Sequence, residues 1–309
     1  MRHYIIKRLL SIVPLLIGIS FLAFILINLT ESDPAEVALR VNEITPTETA
    51  VAEMREELGL DKPFIERYIT WVTSSIKGDF GNSFINNQPV IDEIAQALPA
   101  TLLLALVSFV IIIVVSVSAS IICTMYEGRM IDRAIRGIVF FGEAMPGYWI
   151  GLLLMWFFSI KLNLLPTSGM SSWTSVILPA VTLALAYIST YVRLLRNNMV
   201  QIKSENFVLY AKARGMKESV ILKRIFKNSL QSAITALGMS IPKLIAGTVI
   251  VENIFAWPGI GRLSVTAIFN YDYPVIQAYV FLMAVLFVVC NLLADIVTAI
   301  LDPRMRKEV

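Results

Sequence analysis

One histidine in 309 residues, His3, is all the imidazole this sequence contains. A His-based catalytic triad and a zinc site of several imidazoles are both excluded within the chain. No GxxxxGK[ST] run occurs, so the chain is not expected to bind and hydrolyse ATP by itself. Charge is scarce as well: 16% of the residues are charged and 57% hydrophobic, with a mean hydropathy of +0.72, where soluble domains are roughly 25% charged. That balance excludes a water-soluble globule. The 26 Lys and Arg exceed the 23 Asp and Glu by only +3, too small a surplus to suggest a nucleic-acid partner. Cys123 and Cys290 are the only cysteines, and both lie inside apolar runs, where they read as small core residues.

What is present is a set of apolar runs long enough to cross a bilayer. Leu9 to Leu29 is 21 residues without a charge, preceded by Arg2, Lys7 and Arg8. It is longer than the core of a signal peptide and leads into Asn28-Leu29-Thr30-Glu31, which favours a first transmembrane helix. Thr101 to Met125, Gly137 to Ile160, Val176 to Val192, Leu230 to Val251 and Val275 to Ile300 follow. The sequence therefore predicts an all-α polytopic membrane protein with six transmembrane helices. With both termini on one side, the segments on that side carry 18 Lys and Arg and those on the other carry seven. The positive-inside rule then assigns both termini to the cytoplasm.

The segment between the first two spans, 31–98, is expected outside the cell and holds its own helices. Thr45-Pro46-Thr47-Glu48 reads as a capping box with proline at the first helical position, which predicts a helix from Pro46 to Leu58 ended by Gly59. A second is expected from Pro63 to about Ile76. A third, amphipathic one runs from Pro89 to Leu98, where Pro99 is expected to break it from the second span. Two readings of this helical cap are open: it packs on the membrane bundle, or it is a docking surface for a delivery protein.

The cytoplasmic connection 193–229 is the most informative stretch. Its 37 residues carry nine bases and two acids, interleaved with helical apolar stripes. Ser204 is placed to cap a helix from Glu205 to Arg214, with Phe207, Tyr210 and Ala211 on one face and Gly215 as its stop. In a second helix, Ile221, Leu222, Ile225 and Phe226 share a side. The stretch reads either as a positively charged loop lying on lipid or as a helix pair that docks a partner.

The run Glu205-Asn206-Phe207-Val208-Leu209-Tyr210-Ala211-Lys212-Ala213-Arg214-Gly215, followed by Ile225, resembles the EAA loop of permease subunits in binding-protein-dependent ABC importers. Leu209 and Tyr210 stand where that pattern has Glu and Ala, and Lys227-Asn228 where it has Leu-Pro. The dipeptide, oligopeptide and nickel branch uses a variant closer to this one. Further runs resemble the same branch: Leu58-Gly59-Leu60-Asp61, Gly78-Asp79-Phe80-Gly81-Asn82-Ser83, Pro99-Ala100-Thr101-Leu102, Glu252 to Arg262, Asp272-Tyr273-Pro274-Val275-Ile276-Gln277 and Leu301-Asp302-Pro303-Arg304.

The resemblance implies a type I ABC importer permease, MetI-like in fold, in the inner membrane of a prokaryote. Residues 1–30 would form the cytoplasmic tail and first helix, 31–98 the cap, 99–301 a five-helix core and 302–309 a cytoplasmic tail. It implies pairing with a second, related permease, docking on two ATPase subunits that bind ATP and Mg, and delivery of cargo by an extracellular binding protein. No cofactor is expected in this chain, and lipid is its other partner. The ATPase contact would fall on Glu205, Phe207, Tyr210, Ala211, Ala213, Gly215 and Ile225, with Gly215 needed both as a helix stop and for close approach.

The wording of Glu252 to Arg262 and of Phe269 to Gln277 looks most like nickel-type members. Bare nickel would call for imidazole or thiolate ligands in the spans, which hold two isolated cysteines and no histidine. A chelated metal suits them better, with a peptide as the alternative cargo and an ion-coupled carrier as the alternative class. Lys243, Glu143 and Asp295 lie within expected spans and are candidates for the path, with structural ion pairing as the alternative role. Glu252 and Asn253 complete that set. Trp257, Pro258, Gly259 and Gly261 form an irregular turn, read either as a tight turn anchored at the membrane interface by Trp257 or as an outer gate. Pro146 is expected to kink the third span.

Overall fold

The computed structural model describes residues 2–29, 33–238 and 240–301. The tail 302–309, with Asp302-Pro303-Arg304, and Thr30-Glu31 lie outside them. Thirteen α-helices are described in these residues, in the order α1 (Arg2–Asn28), α2 (Pro34–Val41), α3 (Glu48–Glu57), α4 (Phe64–Ile76), α5 (Val90–Met125), α6 (Met130–Ala144), α7 (Gly147–Leu154), α8 (Ile177–Lys203), α9 (Asn206–Ala213), α10 (Glu218–Gly238), α11 (Ile241–Ile254), α12 (Ile260–Phe269) and α13 (Tyr273–Leu301). Among the described residues, three stretches are long and apolar enough to cross a membrane: Val90–Met125, Trp173–Lys203 and Tyr273–Ile296. A fourth crossing is available if the bent pair Met130–Ala144 and Gly147–Lys161 acts as one span.

Prolines account for the main departures from the expected helices. Gly137 to Ile160 is not one kinked helix but two, bent by 106° at the Met145-Pro146 step. Met145 takes an extended conformation with ψ 142, as the residue before a proline tends to. Leu230 to Val251 is likewise divided, between α10 and α11. Pro242 sits in the first turn of α11, where its missing N–H costs nothing, but it cannot continue a helix arriving from Gly238. Pro99, expected to break its helix, lies inside the continuous α5. A single proline removes one helical hydrogen bond, and the apolar, helix-favouring residues on both sides of Pro99 carry the helix through. In the segment after α1, the expected Pro46 to Leu58 helix begins two residues later. Thr47 is its N-cap, its hydroxyl accepting from Ala50 N at 3.3 Å. The short helix α2, absent from the sequence reading, is capped by Asp33, whose Oδ1 accepts from Ala35 N at 3.1 Å.

The chain divides into two compact units, Met1–Thr101 with Pro258–Val289 and Leu102–Trp257 with Cys290–Val309. In the first, α4 packs on the end of α1 through edge-on aromatic contacts of Phe24 with Phe64 and Tyr68, at 5.2 and 5.6 Å. A small core of Val90, Ile94, Ala267, Val275 and Ala278 joins α5, α12 and α13. In the second, α8 is the central element and α6, α7, α10 and α11 pack against it. Gly238 permits close approach there, since a Cβ at its position would stand 3.3 Å from Ala294 Cβ.

Candidate functional site

The basic connection folds as a helix pair with two distinct faces. Val208 and Ala211 of α9 and Ile221 and Ile225 of α10 are buried together with Leu195 and Met199 of α8, and Phe207 is partly buried against them. Leu209 and Tyr210 point the other way, at 67% and 68% exposure, with Glu205 and Ala213 also exposed. The arrangement follows the periodicity of a short amphipathic helix whose apolar stripe seeks the α8 surface. Of the residues expected to touch a partner, Ala211, Ile225 and Phe207 therefore serve the packing of the loop, and Glu205, Tyr210 and Ala213 lie on its surface. Ser204 does not cap α9. It closes α8, its hydroxyl donating to Gln201 O at 2.7 Å, and Glu205 holds the capping position without a side-chain bond. Gly215 does end the helix, at φ +69, a region that favours glycine. Nothing lies within 4 Å of the Cβ a substitution would add there, so within this chain its role is the turn and not close approach.

The path candidates separate. Lys243, expected near mid-span, sits in the first turn of α11 because the helix restarts at Ile241. Lys243, Ala246, Ile250 and Asn253 are all exposed, and their spacing of three and four residues gathers them on one face of α11. Glu252 lies on the other side and is fully buried. Its carbonyl oxygen accepts from Trp257 N at 2.8 Å across a turn in which Ala256 adopts φ +47. That turn folds Trp257 inward to 1% exposure, so it is not an interface anchor. Pro258 is exposed, and Gly259 is the N-cap of α12, with Gly261 buried in its first turn. Asp295 is half-buried in α13.

Glu143 is part of a second constellation that the sequence did not reveal. Its carboxylate accepts from Arg193 Nη2 at 2.9 Å and from Ser189 Oγ at 2.7 Å. Three turns earlier on α6, the buried Asp132 accepts from Arg196 Nε and Nη2, both at 2.8 Å, from Arg136 Nε at 3.2 Å and from Gly128 N at 3.1 Å. Two carboxylates eleven residues apart thus fasten both ends of α6 to α8. Lys203 Nζ ties the far end of α8 to Glu127 Oε2 at 2.8 Å. The bases counted for topology do local work here, which charge counting by segment does not register.

This geometry is set beside known proteins as follows. Residues 116–307 match the family described as the inner membrane component of binding-protein-dependent transport systems, and residues 1–105 match the N-terminal region of such membrane components. The chain belongs to this family. The permease is 40% identical over 309 residues, 99% of each chain, to the metal-staphylopine import system permease protein CntB of Staphylococcus aureus. It is 35% identical over 308 residues, again 99% of each chain, to the glutathione transport system permease protein GsiC of Escherichia coli. Among solved structures it is similar to an inward-facing form of the MetNI methionine ABC transporter, with a TM-score of 0.57, 15% identity, and coverage of 68% of this chain and 96% of that one. An amino acid ABC transporter gives a TM-score of 0.52 at 15% identity, covering 69% and 94%. The fold of the permease is accordingly the all-helical, MetI-like one. It is a multi-pass membrane subunit of an ABC importer and not an enzyme; ATP hydrolysis belongs to partner ATPases.

Two permease motifs that the sequence left without a task acquire one within the first unit. Asp272, 1% exposed, accepts from Ser83 Oγ and from Phe84 N at 3.2 Å, pinning the loop after α4 to the start of α13. Thr101 Oγ1 accepts from Ile260 N at 2.9 Å, fixing the first turn of α12. Ser83→Ala is expected to destabilise the purified importer by about 1–3 kcal/mol, because Asp272 then loses a buried donor. A melting temperature equal to wild type would show the bond to be dispensable.

Proposed function

We propose that this permease carries a transition metal of the nickel type as a small chelate, delivered by an extracellular binding protein. The observation that carries the reading is end-to-end 40% identity to a metal-staphylopine import permease. The composition of the chain agrees with it: a protein that passed bare nickel would be expected to offer imidazole or thiolate along its spans, and this one has His3 in its first turn and two cysteines far apart in sequence. The second reading, a peptide, is favoured by 35% identity to a glutathione permease.

In this proposal the chain crosses the membrane six times with both termini in the cytoplasm and 31–98 outside. It pairs with a second permease and docks on two ATPases through α9, using Glu205, Leu209, Tyr210 and Ala213, while Phe207, Ala211, Gly215 and Ile225 hold that surface in place. The exposed face of α11, with Lys243 and Asn253, lines the path, and the Lys243 ammonium attracts an anionic complex. Glu143 and Asp295 act as structural partners, and the turn from Trp257 to Gly261 stands beside the outer end of the path.

Elemental analysis and mass spectrometry of the ligand held by the partner binding protein test the cargo. A metal bound in a small organic chelator is the expected result, with cellular nickel uptake that depends on this chain and rises when the chelator is supplied. A metal-free peptide in the binding protein would overturn the metal reading in favour of the second one.

A further inference from the structure

A cavity of about 190 Å³ lies between α6 and α8, walled by Arg136, Arg193 and Arg196 with Glu143, and by the apolar Val139 and Phe140. The three guanidinium groups are answered by two carboxylates, Asp132 and Glu143, so the cluster carries one uncompensated positive charge. Both carboxylates are already held by several donors. Arg136 and Arg193 are about half exposed, each bound to its acid through one nitrogen, which leaves further guanidinium donors to turn towards the opening. Beside it, α6 presents Ile138, Phe140 and Phe141 at 66–73% exposure. Phe140 stands one turn beyond Arg136 on the same face, with Ile138 and Phe141 further round the helix, so charged and apolar groups adjoin as they do at the boundary between headgroups and acyl chains.

We propose that this cavity binds the phosphodiester headgroup of a monoanionic phospholipid, with its acyl chains lying along the exposed apolar residues of α6. One monoanion brings the set of three guanidinium groups and two carboxylates to neutrality. Guanidinium forks match phosphate oxygens geometrically, and basic pockets between membrane helices recognise anionic headgroups in this manner. A neutral zwitterionic lipid leaves the third arginine uncompensated. The exposed Phe140 and Phe141 add a requirement for chains, which separates a lipid from free phosphate.

The test uses the complete purified importer, titrated with phosphatidylglycerol or phosphatidylcholine and read by native mass spectrometry. Phosphatidylglycerol is expected to be retained preferentially. Arg193→Gln and Arg136→Gln are each expected to weaken that retention about tenfold, the loss of one charge-assisted contact. Arg136→Lys, which keeps the charge, is expected to preserve most of it, so a fold defect and a lost headgroup contact read differently. Equal retention of both lipids, or no change in either glutamine variant, would overturn the proposal. Displacement of phosphatidylglycerol by inorganic phosphate would overturn it in favour of a free-phosphate site. Because lipid retention and not uptake is measured, the result is independent of the cargo.

Discussion

Asp132→Ala is expected to destabilise the second unit strongly. Asp132 is fully buried and binds Arg196 through two hydrogen bonds, with Arg136 and Gly128 N as further donors. Removing the carboxylate leaves the Arg196 guanidinium, itself only 14% exposed, without its counter-charge. Breaking a buried pair from one side costs about 3–5 kcal/mol, against about 0–1 kcal/mol for an exposed pair. The Glu143–Arg193 pair at the other end of α6, 40% and 57% exposed, belongs to the second class. Glu143→Gln should therefore leave the melting temperature of the importer nearly unchanged while Asp132→Ala lowers it by several degrees. The reverse order would mean that the Asp132 cluster is not what secures α6 to α8.

A double substitution on the outer face of α9, Leu209→Asp with Tyr210→Asp, is expected to abolish substrate-stimulated ATP hydrolysis and uptake while the permease remains folded in the membrane. Both side chains stand two-thirds exposed, and a tyrosine beside an apolar residue on the outward face, next to Glu205 and Lys212, is the kind of exposed patch that marks a protein contact. The buried side of the same helix supplies the contrast. Ala211→Asp places a charge in the core formed with Leu195, Met199 and Ile225, and should fail by unfolding the loop. Uptake that persists in the double variant with unchanged ATPase stimulation would remove α9 from the coupling contact.

The sequence made the apolar runs and the helix pair legible because both are written in local periodicity. It made much less of the prolines. Pro99 stands just before an expected span and Pro146 and Pro242 inside one, yet the first is absorbed into α5 and the other two mark where helices part. What separates them is tertiary support for the bend, which no window of neighbours contains. The same holds for Trp257, which composition assigns to a membrane interface and a backbone turn at Ala256 turns inward. Asp132 and Arg196 lie 64 residues apart, so their pairing left no local trace, and each registered only as charge on a segment. The periodicity of α9 did contain its two faces, but choosing which one meets a partner required knowing that α8 already covers the other.

The helical stretch Trp173–Lys203 has 31 residues, so it is about 46 Å long, whereas the hydrocarbon layer is about 30 Å thick. If it spans that layer, about three turns stand clear of it. Only Ser204 and Glu205 separate its end from α9. A joint this short has little slack, so under the proposed docking a push on Tyr210 would pass straight into the end of α8, which Lys203 ties to Glu127. The buried Asp132 pair holds that rod at Arg196, two turns from its end, and fastens it to α6. In that proposal a helix of eight residues acts on α6 through α8, not through a loose linker.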